Sequence, residues 1–496
     1  MRTEAERRKL ASLPRFASAV GVAALLGVWA CASILAGSYL VPAPWTSIAD
    51  TVLLLERGFA WLQILTTLAR VCVGFCAGFA AGFMVGVASG SRPRAGAFFR
   101  PIVQFFQGMP PLLWAIPLVA LMGTGHLPSV TVISLITFPL VAVTVGEGMT
   151  TLPQSYGEML AVFAPGLQPR IRELVLPHLR PFLAAALKAG LVLAVKASVT
   201  AEYFGASDGI GFQIQSAYMS LRIRSLFSWA IVLVLVILVF THLLPILGRV
   251  ASALRRLWPK PPAAFPRSRE PQAATTLVRQ SPRAMRILLR KAGFGFSAEE
   301  PVLAGVSLSV TPGKVAVVTG DSGVGKTTLL LLAAGILRPQ AGAVSRPERL
   351  GFVFQDDRLL PWRTVEENVA LPLVYGGHAR AEARRLARSL LAEVGLAGAE
   401  TRSPSELSGG MRKRAALARC FARAPDAVLM DEPFSGLHAG ARRTLWAMVL
   451  RLLAERPVPV ILVTHYPREV ESASACTVYR LAGKPAGLAR ARGGEK

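Results

Sequence analysis

The chain has 496 residues, 52% of them apolar and 17% charged, with a mean hydropathy of +0.46. That length excludes one compact domain, and that balance suits a chain partly embedded in a membrane. The formal net charge is +26, yet Arg and Lys lie largely in loops between apolar segments and in the second half, which points to an anionic membrane surface and not to nucleic acid. Around Arg380 to Arg388 the same enrichment equally fits a general excess of arginine. Five cysteines, Cys31, Cys72, Cys76, Cys420 and Cys476, have the spacing of neither a zinc site nor a disulfide framework, so all five read as small core residues.

Six apolar stretches follow in the first half, at 16–40, 65–90, 102–123, 128–149, 182–204 and 226–247. Each is near the ~20 residues that cross hydrocarbon. The first follows Arg2, Arg7, Arg8, Lys9 and Arg15 and is long for a cleaved signal, so it reads as a retained anchor. With the N-terminus inside, the inner segments carry Arg92, Arg94, Arg100, Arg170, Arg172, Arg180, Arg249, Arg255, Arg256 and Lys260. Only the outer pair Arg222 and Arg224 opposes the positive-inside rule. Both termini are therefore expected to be cytoplasmic in a multi-pass protein of a bacterial inner membrane.

The second stretch repeats glycine every fourth residue, at Gly74, Gly78, Gly82, Gly86 and Gly90, a ridge that lets another helix approach closely. Pro110, Pro111 and Pro117 interrupt the third, and broken backbone at that depth belongs beside protein or a wet cavity. The fifth carries Lys188, Lys196 and Glu202. Lys196, at mid-span, either lines a wet cavity that attracts an anion or pairs with an intramembrane carboxylate such as Glu147 or Glu202.

Between the fourth and fifth stretches comes Glu158-Met159-Leu160-Ala161-Val162-Phe163-Ala164, then nine residues, then Leu174-Val175-Leu176-Pro177. This resembles the cytoplasmic loop of bacterial ATP-binding-cassette importer permeases, with the same spacing and with departures at Met159, Leu160, Ala164 and Leu174. The resemblance implies a short helix that docks into a groove of the ATPase. Thr66-Thr67-Leu68-Ala69-Arg70 and the run Glu202 to Gly211 are similar to permeases of the nitrate, sulfonate and taurine importers. Residues 259–283 are rich in Pro, Ala, Ser and Arg without apolar periodicity and read as a flexible tether. The expected domains are thus a permease at 1–258, the tether, and an ATPase at 284–496.

In the second half, the apolar run Lys314 to Thr319 leads into Gly320-Asp321-Ser322-Gly323-Val324-Gly325-Lys326-Thr327, with a helical pattern from Thr327. Strand, glycine-rich loop and helix are the setting of a phosphate-binding loop. Backbone N–H groups converge on phosphate oxygens at the helix N-terminus, Lys326 neutralises β- and γ-phosphate charge, Thr328 borders the same site, and the Thr327 hydroxyl binds Mg²⁺. A second buried strand candidate, Val428 to Glu432, ends in two acids. Asp431 is expected to hold Mg²⁺ through water and Glu432 to orient or deprotonate the attacking water.

Leu407-Ser408-Gly409-Gly410-Met411 resembles the Leu-Ser-Gly-Gly-Gln signature of the ATP-binding-cassette family, with Met411 in place of Gln. That resemblance implies that Ser408, Gly409 and Gly410 complete the ATP site of an opposing subunit, so the chain would act as a homodimer. By the same resemblance Gln355, followed by Leu359-Leu360-Pro361-Trp362, is the coupling-loop glutamine that reaches Mg²⁺ and water. His465, after the strand 460–463, is the switch histidine on the γ-phosphate. Phe296 or Phe294 would stack on adenine. Ser435-Gly436-Leu437-His438 departs from Ser-Ala-Leu-Asp, which puts the linkage of the two ATP sites in question at His438. The expected fold is a six-span type I importer permease fused to an α/β P-loop ATPase. Its expected ligands and partners are ATP, Mg²⁺, a second copy, an extracytoplasmic solute-binding protein, membrane lipid and a small solute of sulfonate, taurine, nitrate or vitamin-precursor type. The alternatives are a half-transporter exporter and a membrane-anchored regulatory ATPase.

Overall fold

The computed structural model describes residues 4–163, 166–257, 286–297, 300–455, 457–467 and 476–490. The tether expected at 259–283 lies outside them. The chain divides into two compact units.

The first unit is helical. It holds α1 (Glu4–Ala36), α2 (Pro44–Leu55), α3 (Gly58–Ser91), α4 (Pro93–Gly108), α5 (Pro111–Met122) and α6 (His126–Thr150). The chain leaves this unit for α7 (Gln154–Phe163) and α8 (Leu167–Arg170), then returns through α9 (Leu176–Gly205), α10 (Ile210–Met219) and α11 (Ile223–Leu257). Among the described residues four helical stretches are long and apolar enough to span a membrane: Gly58–Ser91, His126–Thr150, Leu167–Gly205 and Ile223–His242. The pair α4 and α5 makes a fifth, bent by 92°. The bend falls at the prolines read as an interruption: Pro110 N-caps α5 in extended backbone, where its ring forbids a continuous helix. In α1 the apolar part is the shorter Val20–Ala36.

The glycine ridge of α3 packs against α6. A Cβ on Gly74 would meet Ile133 Cβ at 2.7 Å, one on Gly82 the Phe138 carbonyl at 2.6 Å, and one on Gly86 Val145 Cβ at 2.7 Å. The two backbones sit too close for any side chain there, as the four-residue repeat requires.

Lys196 does not pair with Glu202. The two lie six residues apart on α9, which sets their side chains about 240° apart around the helix. Lys196 is exposed, whereas Glu202 is fully buried and takes Arg70, on α3, as its partner at 3.1 Å. Thr67, Ser198 and the Gly211 amide also donate to the Glu202 carboxylate. Arg70 in turn donates to Asp208 and to His126 Nδ1. A buried ion pair is tolerated only when its remaining polar atoms are satisfied, and this one ties α3, α6, α9 and the turn before α10 together.

The second unit is a nine-stranded sheet with flanking helices. Its strands are β1 (Ile287–Gly295), β2 (Pro301–Val310), β3 (Val315–Thr319), β4 (Ala341–Ser345), β5 (Leu350–Val353), β6 (Ala427–Asp431), β7 (Val460–Val463), β8 (Cys476–Gly483) and β9 (Ala486–Arg490). They lie in the order β4-β1-β2-β9-β8-β3-β7-β6-β5. The block β3-β7-β6-β5 is parallel and its strands are buried almost throughout, as continuous apolar runs covered on both faces should be. The helices are α12 (Lys326–Ala333), α13 (Val365–Tyr375), α14 (Arg380–Glu393), α15 (Gly409–Phe421) and α16 (Ala439–Glu455). Residues 152–178, which contain α7 and α8, belong to this unit. Met159, Leu160 and Leu174 are buried in the same core as Leu350, Phe352 and Phe354.

Candidate ATP site

The parallel block brings the scattered motifs together. Val353 pairs with Met430, Asp431 with Val463, and Val463 with Val318. The four strands therefore end in register, and the segments that leave their C-terminal ends carry Gln355, Asp431–Glu432, His465 and the glycine-rich loop. Such an edge is where open α/β sheets bind ligands.

The loop after β3 needs its glycines. Gly323 and Gly325 have φ of +78° and +104°, a region L side chains rarely adopt. A Cβ on Gly325 would also stand 2.8 Å from Val302 Cγ1. α12 starts directly after this turn with Lys326, so its free N–H groups face the loop. Lys326 Nζ donates to the Gly320 and Asp321 carbonyls at 2.8 and 2.9 Å, which holds the ammonium at the mouth of the loop. Asp321 and Ser322 are exposed there, and Thr328 is buried on the first turn of α12.

Thr327 Oγ1 donates to Asp431 Oδ2 at 2.7 Å. Two hard oxygen ligands are thus adjacent, a set that suits Mg²⁺. Among the described residues no cluster of three His, Cys, Asp or Glu side chains could hold a metal unaided, so such an ion would take its other ligands from water and phosphate. Burial raises the Asp431 carboxyl above its ordinary range; the Thr327 hydrogen bond opposes that shift and Glu432 adds to it. Glu432 has φ of +45°, an uncommon and strained backbone for a residue with a side chain. Its carboxylate meets His465 Nε2 at 3.0 Å. A carboxylate and an imidazole in contact, next to a Mg²⁺-type pair, are groups able to position and deprotonate a water.

Residues 78–256 match the family described as "Binding-protein-dependent transport system inner membrane component", and residues 303–435 match the family described as "ABC transporter". The chain is 46% identical over 164 residues to the aliphatic sulfonates import ATP-binding protein SsuB 3 of Paraburkholderia xenovorans, which covers 33% of this chain and 64% of that protein. It is 41% identical over 195 residues to SsuB 2 of the same organism, covering 39% of this chain and 76% of the relative. The taurine import ATP-binding protein TauB of Pseudomonas fluorescens is 44% identical over 177 residues, 34% of this chain and 67% of the relative. The chain belongs to the ATP-binding-cassette transporters. It joins an inner membrane component and its ATPase in one polypeptide. A solved dimeric bacterial ABC transporter cassette aligns with 42% of the chain and 99% of its own length at 26% identity, with a TM-score of 0.38.

The remaining site residues of this transporter have partners of their own. Gln355 is exposed, and its carbonyl accepts from Lys413 Nζ at 3.3 Å. Ser408 N-caps α15, accepting from the Met411 amide at 3.3 Å, with Gly409 and Gly410 in the first turn. Among the described residues Ser408 has no hydrogen bond to the phosphate loop of its own chain. Met411, where glutamine is usual, packs against the cluster built by α13, α14 and α15, which gives the apolar side chain a structural place. His438 Nδ1 accepts from the Ala441 amide at 3.3 Å and so caps α16. Phe296 is 75% exposed at the end of β1 and stacks edge-on against Phe294, which packs on the core. Of the two rings named in sequence, Phe296 is the one open to a ligand.

The ATPase grips the loop at residues 154–178 through Arg358, Trp362, Arg363 and Tyr375. Arg358 Nη1 donates to the Glu158 carboxylate at 2.8 Å and to the Ser155 carbonyl at 3.1 Å. Trp362 Nε1 donates to the Glu173 carbonyl at 3.0 Å, and Arg363 and Tyr375 reach the Glu173 carboxylate. Burial, then the nearby Glu173 charge, raises the Tyr375 hydroxyl well above its ordinary range, so it stays a donor. The signal lay in the opposite charges of the two segments, about two hundred residues apart, which no local spacing pairs.

Proposed function

We propose that this chain is an ATP-driven importer of a small anionic solute, acting as a homodimer with an extracytoplasmic binding protein. The observation that carries the reading is the joining of a Thr327–Asp431 pair and a Glu432–His465 pair at one sheet edge to a cassette whose core encloses a permease-type loop. The names of the sulfonate and taurine import relatives support the solute class.

In this mechanism Gly320, Gly323 and Gly325 shape a cradle of backbone N–H groups, with Asp321, Ser322 and Thr328 around it, and Lys326 turns from its loop carbonyls to the phosphates. Thr327 and Asp431, with Gln355, would hold Mg²⁺, which supplies charge neutralisation to the phosphates when bound. Glu432 orients and deprotonates the water, and His465 holds Glu432 in place and contacts the γ-phosphate. Phe296 stacks on adenine. Ser408, Gly409 and Gly410 complete the site of the second copy. The permease spans 1–258, the tether 259–283 and the ATPase 284–496, with both termini cytoplasmic.

Glu432→Gln is expected to retain ATP binding and lose turnover in the full-length protein; turnover at the wild-type rate would remove Glu432 from this role. ATP-driven uptake of taurine or an alkanesulfonate into right-side-out vesicles supports import. ATP-driven movement in the outward direction would favour the exporter reading instead.

A further inference from the structure

The end of β1 that carries Phe296 borders the phosphate loop. The first residues of β2 lie against that loop: a Cβ on Gly325 would stand 2.8 Å from Val302 Cγ1 and 3.2 Å from Leu303 Cδ2. Across the strands Phe294 pairs with Leu303 and Gly295 with Pro301. Phe296 is the next residue and is open to solvent, so the chain sets an exposed ring beside the cradle for the phosphates. An exposed ring binds a base well only if the backbone beneath it is already ordered.

Regular strand pairing gives out just there. On the β2 side the register of β1 shifts three times between Leu289 and Gly295, and Pro301, opposite Gly295, has no N–H to donate. On the β4 side the ladder ends at Gly293, which pairs with Ala341. Gln340 precedes Ala341 and extends the pairing by other means. Its backbone amide donates to the Gly293 carbonyl at 2.9 Å. Its side-chain Oε1 accepts from the Gly295 amide at 2.9 Å, and its Nε2 donates to the Gly295 carbonyl at 2.8 Å. One carboxamide thus makes both bonds that a facing strand residue would exchange with Gly295. Gly295 is buried, where an unpaired N–H or C=O is costly. It is also closely packed: a Cβ there would meet the Glu300 carbonyl at 2.7 Å and the Ser297 carbonyl at 2.8 Å. A carboxamide holds a donor and an acceptor side by side; a carboxylate or an ammonium holds only one of the two.

We propose that Gln340 is a positioning residue for the base of ATP: it clamps Gly295 and so presents the Phe296 ring in a fixed place beside the phosphate loop. The inference rests on the reading above in which Phe296 stacks on adenine. Gln340 acts through backbone and not on ATP. Without the clamp the binding of the base must also order the end of β1, at a loss of about threefold to tenfold in affinity. Lys326, the Thr327–Asp431 pair and the Glu432–His465 pair are held by other contacts, so the loss falls on binding and not on the hydrolytic step.

The test is steady-state ATP hydrolysis by the full-length protein in nanodiscs. Gln340→Ala is expected to raise KM for ATP about threefold to tenfold with kcat unchanged. Gln340 is exposed, so this variant leaves the core intact. Inorganic tripolyphosphate, which carries phosphates and no base, serves as a competing inhibitor, and its inhibition constant should not move in Gln340→Ala. Phe296→Ala should raise KM by about tenfold or more. Adding Gln340→Ala to it should raise KM no further, since the clamp acts only through the ring. Gln340→Glu keeps the acceptor for the Gly295 amide and lacks the donor to its carbonyl, so it should resemble Gln340→Ala. An unchanged KM in Gln340→Ala beside a raised one in Phe296→Ala, or a further rise in the double variant, overturns the clamp and leaves the stacking reading standing. A tripolyphosphate constant that rises together with KM also overturns it, because the residue would then act on the whole site. An unchanged KM in Phe296→Ala overturns the stacking reading and the clamp with it.

Discussion

Leu160→Ala is the sharpest probe of how the loop that carries α7 is held. Leu160 is 2% exposed and shares a core with Leu350, Phe352 and Phe354. Truncation removes three carbons, each worth about 0.8 kcal/mol of transfer free energy, and leaves a cavity. Leu→Ala at such sites costs about 2–5 kcal/mol. The polar contacts of α7 offset little of this, since the Arg358–Glu158 pair is partly exposed on the Glu158 side and such pairs contribute about 1 kcal/mol or less. The loss should fall on the seating of α7 and not on the sheet, whose strands keep their pairing with one another. Local opening of α7 should then become roughly thirtyfold to a few thousandfold more frequent, at about 1.4 kcal/mol per factor of ten. Amide hydrogen exchange of the full-length protein reads this as faster exchange across 154–163 with β6 and β7 unchanged. Unchanged exchange in α7, or equal acceleration through the whole cassette, would refute the reasoning.

Other outcomes follow from the same geometry. Gly82→Ala should destabilise the membrane unit by about 1–3 kcal/mol through overpacking, because its Cβ would sit 2.6 Å from the Phe138 carbonyl, whereas Gly27→Ala, with nothing near, should not; equal thermal midpoints for the two variants would contradict this. Asp431→Asn should raise the thermal midpoint of the nucleotide-free protein at neutral pH while abolishing Mg-ATP turnover. The sign follows from burial: a raised carboxyl keeps its proton to higher pH in the folded chain than in the unfolded one, so the charged form costs stability at pH values above its window. The difference from wild type should therefore shrink as pH falls towards the ordinary carboxylate range, and a midpoint lowered at neutral pH would count against it. Lys196→Met should weaken anion uptake if the exposed face of α9 lines the solute pathway; unchanged kinetics and solute choice would remove Lys196 from the mechanism.

The sequence by itself determined the local pieces. The phosphate loop, the strand 460–463 and the break at Pro110 are written in contiguous residues, because turn chemistry, strand runs and proline act over a few positions. The glycine ridge is legible for the same reason, since a four-residue repeat defines one face of a helix whatever packs on it. Asp431 and Glu432 announce themselves as acids ending an apolar run. The tertiary structure alone decided the pairings. It set Thr327 against Asp431 and Glu432 against His465, because strand order and register are non-local. It gave Glu202 to Arg70 and left Lys196 exposed, because partners across helices depend on which faces meet. It seated Met159, Leu160 and Leu174, three of the four positions where the loop departs from the familiar pattern, in the core of the cassette, and it turned Arg358 towards Glu158 under the grip of Arg419. Charge and hydrophobicity mark residues as capable of such contacts; only the folded backbone, by bringing segments hundreds of residues apart to within hydrogen-bond distance, selects which contacts form.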